Sequence, residues 1–199
     1  MRESCLPPEI PVPASDPTAI GQRLRALRRE RQLTLKDLSA RSGVALSTLS
    51  KIELGQVAAS YEKFVAVARA LKVDIARLLD DRPAPAGAPR AVQGRLDDGS
   101  GYDAGPYHYR LLAGDYAGRR MTPMHGVIAA RRIEDVPEPS RHAGQEFVTV
   151  LRGRLRIAFE NGDSLSLGAG ECAYFDSGVA HVYLSTGRGN AEVLVVMCD

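Results

Sequence analysis

The spacing of apolar residues divides this chain in two. Over 18–81 it is helical, with Ile20, Leu24 and Leu27 on one face, then Phe64, Val67, Ala68 and Leu71, then Ile75, Leu78 and Leu79. Such recurrence every three or four residues marks amphipathic helices, and five short ones fit the span. From Ala91 onward, short apolar runs broken by glycine replace that period. The segments 146–151, 155–159, 164–167, 171–175, 181–184 and 192–197 have the length and composition of strands. Their regular spacing predicts an antiparallel barrel or sandwich. Gly153 between two arginines, and Asn161-Gly162-Asp163, sit between such runs where a positive φ is needed, so each predicts a hairpin.

Two stretches fall outside both patterns. Residues 1–17 hold Pro7, Pro8, Pro11, Pro13 and Pro17, too many for a helix or a central strand, and are expected to form a flexible arm. Residues 82–90, RPAPAGAPR, form a Pro/Ala/Gly linker, stiff enough to space two domains without packing on either. The expected organisation is an arm (1–17), an all-α domain (18–81), a linker (82–90) and an all-β domain (91–199).

Charge sharpens the division. Residues 19–82 carry 13 Lys or Arg against 7 Asp or Glu, a balance of +6, whereas 83–199 carry 12 against 14, a balance of −2. Attraction to a polyanion is thus concentrated in the helical half. Cys5, Cys172 and Cys198 are odd in number and have no CxxC spacing, which argues against a disulfide framework or a thiolate zinc site; Cys172 and Cys198 are expected as core thiols. No signal-peptide pattern and no run of about 18 apolar residues is present, so the expectation is a soluble, cytoplasmic protein with no membrane partner.

Within 33–55, LTLKDLSARSGVALSTLSKIELG, two short helices flank Ser42-Gly43-Val44, where glycine permits a sharp reversal. Thr34 is the expected N-cap of the first helix and Asp37 its capping-box partner. Leu38, Val44, Leu49 and Ile52 should face inward. That leaves Leu46, Ser47, Thr48, Ser50 and Lys51 outside, small and polar enough to approach base edges and phosphates. With IGQRLRALRRERQ before it and SYEKFVAVARALKVDIARLL after it, the segment resembles the phage-repressor or XRE type of helix-turn-helix domain over about 63 residues. The resemblance implies that Leu46, Ser47 and Lys51 read bases, that Arg28 belongs to the DNA-binding set, and that Arg28 and Glu53 form a partly buried ion pair between the first helix and the recognition helix. Two residues depart from the family pattern: Leu35 stands where many members have a phosphate-contacting Gln, and Ala45 replaces the usual Ser or Thr cap.

SRHAGQEFVTVLRG over 140–153 and LGAGECAYFDSGVAH over 167–181 resemble the two motifs of the cupin, a double-stranded β-helix barrel. The resemblance implies inward-facing ligands at His142, Glu146 and His181, with Ser140 where a further His often stands. Two imidazoles and a carboxylate suit one divalent transition metal such as Fe, Zn, Mn or Ni; the alternative is a hydrogen-bonded cluster that binds an organic effector without metal. His108 and His125 lie outside both motifs and are not expected as ligands. Tyr107 and Tyr109 share strand parity and either line the pocket or pack the core. Arg110, Arg119 and Arg120 are expected to be solvated.

The order of the two halves looks like that of the XRE-cupin regulators. It implies a homodimer on a pseudo-palindromic operator in double-stranded DNA, whose affinity is set by a small-molecule effector at Tyr107, Tyr109, His142, Glu146 and His181. The same plan is similar to that of hydroxypropylphosphonate epoxidase, a mononuclear non-haem iron enzyme, and an iron-dependent epoxidase or oxygenase is the alternative. That enzyme brings a lysine from its helical domain to the substrate, and Leu33 stands at the corresponding place here.

Overall fold

The computed structural model describes residues 16–79, 91–99, 101–116 and 118–198; the arm to residue 15, Cys5 within it, and the 82–90 linker lie outside the described residues. Five α-helices come first: α1 (Pro17–Glu30), α2 (Leu35–Ser42), α3 (Leu46–Glu53), α4 (Tyr61–Leu71) and α5 (Ala76–Leu79). Pro17 belongs to α1 rather than to the arm. Asp16 caps that helix, accepting from the Thr18 amide at 2.9 Å, and proline takes the first turn, where its missing N–H would have had no partner. Thr34 and Asp37 close the capping box of α2, through the Asp37 amide to the Thr34 hydroxyl at 3.1 Å and the Thr34 amide to the Asp37 carboxylate at 2.9 Å.

Leu24, Leu38, Leu49, Leu71, Leu78 and Leu79 are fully buried and form the centre of the helical half. α1 lies so near α3 that a Cβ placed on Gly21 would sit 2.3 Å from the Ile52 carbonyl oxygen. Only glycine allows that approach.

Nine strands follow: β1 (Gly101–Ala104), β2 (Tyr107–Leu111), β3 (Met121–Ile128), β4 (Gln145–Arg152), β5 (Arg154–Phe159), β6 (Ser164–Gly168), β7 (Cys172–Asp176), β8 (His181–Ser185) and β9 (Ala191–Cys198). They form one sheet in the order β1-β2-β3-β9-β4-β7 and a second in the order β6-β5-β8, with every pairing antiparallel. Alternation buries Val148 and Val150 of β4, Val193 and Val195 of β9, and Leu155 and Ile157 of β5, one residue in two as a half-buried strand requires.

Asn161-Gly162-Asp163 does turn a hairpin, from β5 into its partner β6. The turn at Gly153 does not. β4 pairs with β7 and β9, whereas β5 pairs with β6 and β8, so Gly153, at φ 82, steps the chain from one sheet to the other. A single residue is too short to lay its two flanking strands side by side.

The outer edge of β8 is closed by three different partners instead of a strand. Ser140 and His181 exchange backbone bonds of 2.9 Å each. The Tyr107 hydroxyl donates to the Tyr183 carbonyl at 3.0 Å and accepts from the Tyr183 amide at 2.9 Å. The Ser185 amide donates to the Ala130 carbonyl at 2.8 Å.

The two halves touch and share one continuous apolar core. Phe64 of α4 meets Tyr102 of β1 edge-on at 5.6 Å, and Asp74 pairs with Arg119 at 3.4 Å. Arg119 is therefore tucked between the halves rather than solvated. Arg110 is buried as well and donates to the Asp97 carbonyl, while Arg120 is exposed as expected. Cys172 faces solvent and Cys198 is half-buried, so neither is a core thiol; both strands present alternate residues outward at those positions.

Candidate functional site

The outer face of α3 is built by the turn before it. Gly43, left-handed at φ 73, ends α2. The Ser39 hydroxyl donates to the Val44 carbonyl at 2.7 Å and the Val44 amide to the Ser42 hydroxyl at 3.2 Å, which fixes the reversal. Val44, Leu49 and Ile52 then point inward. Leu46, Ser47 and Lys51 are exposed, and Thr48 and Ser50 are half-buried at the edges of the same face. Leu46 leaves 47% of its surface in solvent, a large apolar side chain that the helical core does not use. Ala45 provides no side-chain cap.

Arg28 and Glu53 form the expected ion pair. Nε and Nη2 of Arg28 donate to the two carboxylate oxygens of Glu53 at 2.6 and 2.8 Å, and Nη1 donates to the Leu33 carbonyl at 2.8 Å. Both partners are buried, and these bonds take three of the five guanidinium N–H groups. The pair ties α1 to the end of α3, behind the exposed face.

In the β half, His142, Glu146 and His181 converge from the 140–144 segment, β4 and β8, with one potential ligand atom each and all three atoms within 4.8 Å of one another. Nε2 of His142 lies 2.9 Å from Glu146 Oε2 and Nε2 of His181 lies 3.5 Å from the same oxygen. Each imidazole is held from behind, with Nδ1 of His181 at 2.9 Å from the Val179 carbonyl and Nδ1 of His142 at 3.2 Å from the Ala143 carbonyl. A backbone carbonyl at Nδ1 favours the tautomer that keeps the Nε2 lone pair for a metal. Tyr183 donates to Glu146 Oε1. Burial works against a charge on Glu146, yet hydrogen bonds from His142 and His181, with that from Tyr183, hold its carboxyl down at about 2. Burial also opposes protonation of His142, but the Glu146 carboxylate outweighs it and raises the imidazole above its ordinary value.

This donor set fits a divalent transition metal: one anion and two neutral nitrogens, converging and braced. The three side chains adjoin a cavity of about 200 Å³ lined also by Tyr107, Tyr109, Tyr183 and Met197. Tyr107 and Tyr109 are thus both core residues and cavity walls. Burial pushes the hydroxyls of Tyr107, Tyr109 and Tyr183 well up, so all three remain neutral donors. His108 pairs with Asp103 at 2.5 Å and His125 is buried 3.7 Å from Glu192; neither is in the cluster.

Sequence reasoning missed Tyr183, although it lies two residues after His181 on one strand and so shares its face. It also missed Ser60, Tyr61, Glu62 and Lys63, which line the same cavity from the helical half. No local signal marks that contact, since it joins residues some eighty positions apart.

Comparison with known proteins agrees with this division. Residues 24–78 match the helix-turn-helix family and residues 133–197 match the cupin domain family. An uncharacterized HTH-type transcriptional regulator of Sinorhizobium fredii, y4dL, is 43% identical over 56 residues, which are 28% of this chain and 29% of that protein. Among solved structures, an HTH_3 family transcriptional regulator from Vibrio cholerae superposes with a TM-score of 0.61 at 18% identity, covering 92% of this chain and 97% of that one. Hydroxypropylphosphonic acid epoxidase from S. wedmorenis gives 0.50 at 20% identity, covering 92% and 98%. These two likenesses establish a common fold.

Proposed function

Because the chain joins a helix-turn-helix domain to a cupin domain, we propose that it is a sequence-specific DNA-binding transcription regulator whose operator affinity is modulated by a ligand in the cupin cavity. The observation that carries this reading is the exposed face of α3, where Leu46, Ser47 and Lys51 stand clear of the core while Arg28 and Glu53 lock the helix behind them. The basic balance of the helical half supplies the phosphate attraction such a face needs. A homodimer would set two such helices about 34 Å apart, one turn of DNA, on a pseudo-palindromic site. His142, Glu146 and His181 would hold one divalent transition metal, which would supply a Lewis-acidic anchor for the effector. Tyr107 and Tyr109 would orient it.

The test is a titration of the full chain against duplexes from around its own promoter, at several salt concentrations, with a scrambled duplex as control. Preference for one sequence and a steep loss of affinity with salt are expected; equal binding to every duplex would remove the reading.

A second reading, a mononuclear iron oxygenase or epoxidase, is favoured by the two-His, one-Glu cluster itself. A lysine of the helical half does line the cavity, Lys63 of α4 rather than a residue at the Leu33 position. Oxygen uptake by the iron-loaded protein with small phosphonates would favour the enzyme; none would favour the regulator.

A further inference from the structure

The cavity beside the triad has walls from both halves of the chain. The first turn of α4 lies across it. Tyr61 meets the His142 ring edge-on, with centroids 5.8 Å apart and planes at 72°. Lys63 pairs with Glu138 on the far rim, and Ser60, the N-cap of α4, lines the same space without making a side-chain cap bond. α4 also packs against α2, the helix that leads into the turn before α3.

We propose that Tyr61 and Lys63 are ligand-sensing residues of the cupin cavity and that α4 transmits its occupancy to the DNA-facing helices. This rests on the regulator reading above and adds its route of regulation. Nε2 of His142 is engaged with Glu146 Oε2 at 2.9 Å. Holding a metal requires that nitrogen to aim its lone pair at the ion instead of sharing a proton with the carboxylate. Filling the site therefore turns His142, an imidazole that Tyr61 touches. That movement is passed on because close-packed rings repack rather than compress. An organic ligand in the cavity meets the same wall, with Lys63 and the Ser60 hydroxyl as the polar groups at its rim. By linkage, whatever factor occupancy imposes on the α4 placement that binds DNA, DNA must impose on occupancy.

Hydrogen exchange on the full chain, with and without Ni²⁺ or Zn²⁺ at saturation, tests this without DNA. Amides over 61–71 and 35–42 should change exchange rate about 5-fold or more on metal addition, the usual lower bound of allosteric coupling. Tyr61→Phe should keep that response. Tyr61→Ala and Lys63→Met should reduce it while calorimetry still finds metal bound at the triad; Lys63 is on the rim, so its variant is not expected to unfold. Metal-induced change confined to the β half, no change at all, or a full response in both Tyr61→Ala and Lys63→Met overturns the proposal. A wild type with the helical response but no duplex preference would sink the regulator reading alone; duplex preference without that response would sink this inference alone.

Discussion

Replacing Arg28 with methionine tests whether the guanidinium is a brace or a DNA contact. The structure gives it three hydrogen bonds of 2.6–2.8 Å, two of them to Glu53, whose side chain is only 6% exposed. In Arg28→Met the carboxylate stays buried without its cation, which costs about 3–5 kcal/mol. At roughly 2–4 °C per kcal/mol for a chain of this size, the melting temperature should fall by about 6–20 °C. In Arg28→Met/Glu53→Leu the stranded charge is gone, and stability should return to within about 1 kcal/mol of wild type. Urea unfolding followed at 222 nm measures all three stabilities. A double variant as unstable as the sum of Arg28→Met and Glu53→Leu would refute the stranded-charge argument. Arg28→Met that stays within about 1 kcal/mol of wild type, and lowers the slope of log affinity against log salt by about 0.9, would show a phosphate contact instead.

Lys51→Ala and Ser47→Ala should weaken duplex binding while stability stays within about 0.5 kcal/mol of wild type, as for surface changes generally; unchanged affinity in a filter or fluorescence titration would displace the recognition face from α3. Gly21→Ala should destabilise the helical half by about 2 kcal/mol or more, because its methyl would meet the Ile52 carbonyl oxygen at 2.3 Å, and a melting curve like that of wild type would contradict the close approach. His142→Ala should abolish Zn²⁺ binding in calorimetry yet leave metal-free duplex affinity close to wild type; retained Zn²⁺ affinity would remove the triad as the metal site. The Thr34 hydroxyl and amide hold the Asp37 carboxyl below its ordinary 3.8. Its contribution to stability is therefore complete above the unfolded-state value and is lost as pH falls through the lower folded-state value. Asp37→Asn should flatten acid unfolding in that window, and an identical acid profile would argue against the capping box.

What the sequence made legible was whatever depends on neighbours along the chain. Leu24, Leu38, Leu49 and Ile52 were placed inside by period alone, and the capping box of Thr34 and Asp37 by their spacing. The triad was legible through motif resemblance, since its three members come from two segments that period alone does not bring together. Gly153 was misread because a glycine between two strands states that the chain turns but not which sheet the next strand joins. Arg110 and Arg119 were misread because burial of an arginine depends on partners elsewhere, here the Asp97 carbonyl and Asp74. Tyr61 had a local meaning, the first turn of a helix, and a second one that only the contact with His142 reveals.

One phenol holds both backbone groups of Tyr183, and with them the free edge of β8, at the end of a side chain rooted in β2. The same tyrosine, Tyr107, lines the cavity that His142, Glu146 and His181 adjoin. A change at Tyr107 would therefore alter a cavity wall and the anchoring of β8 at once.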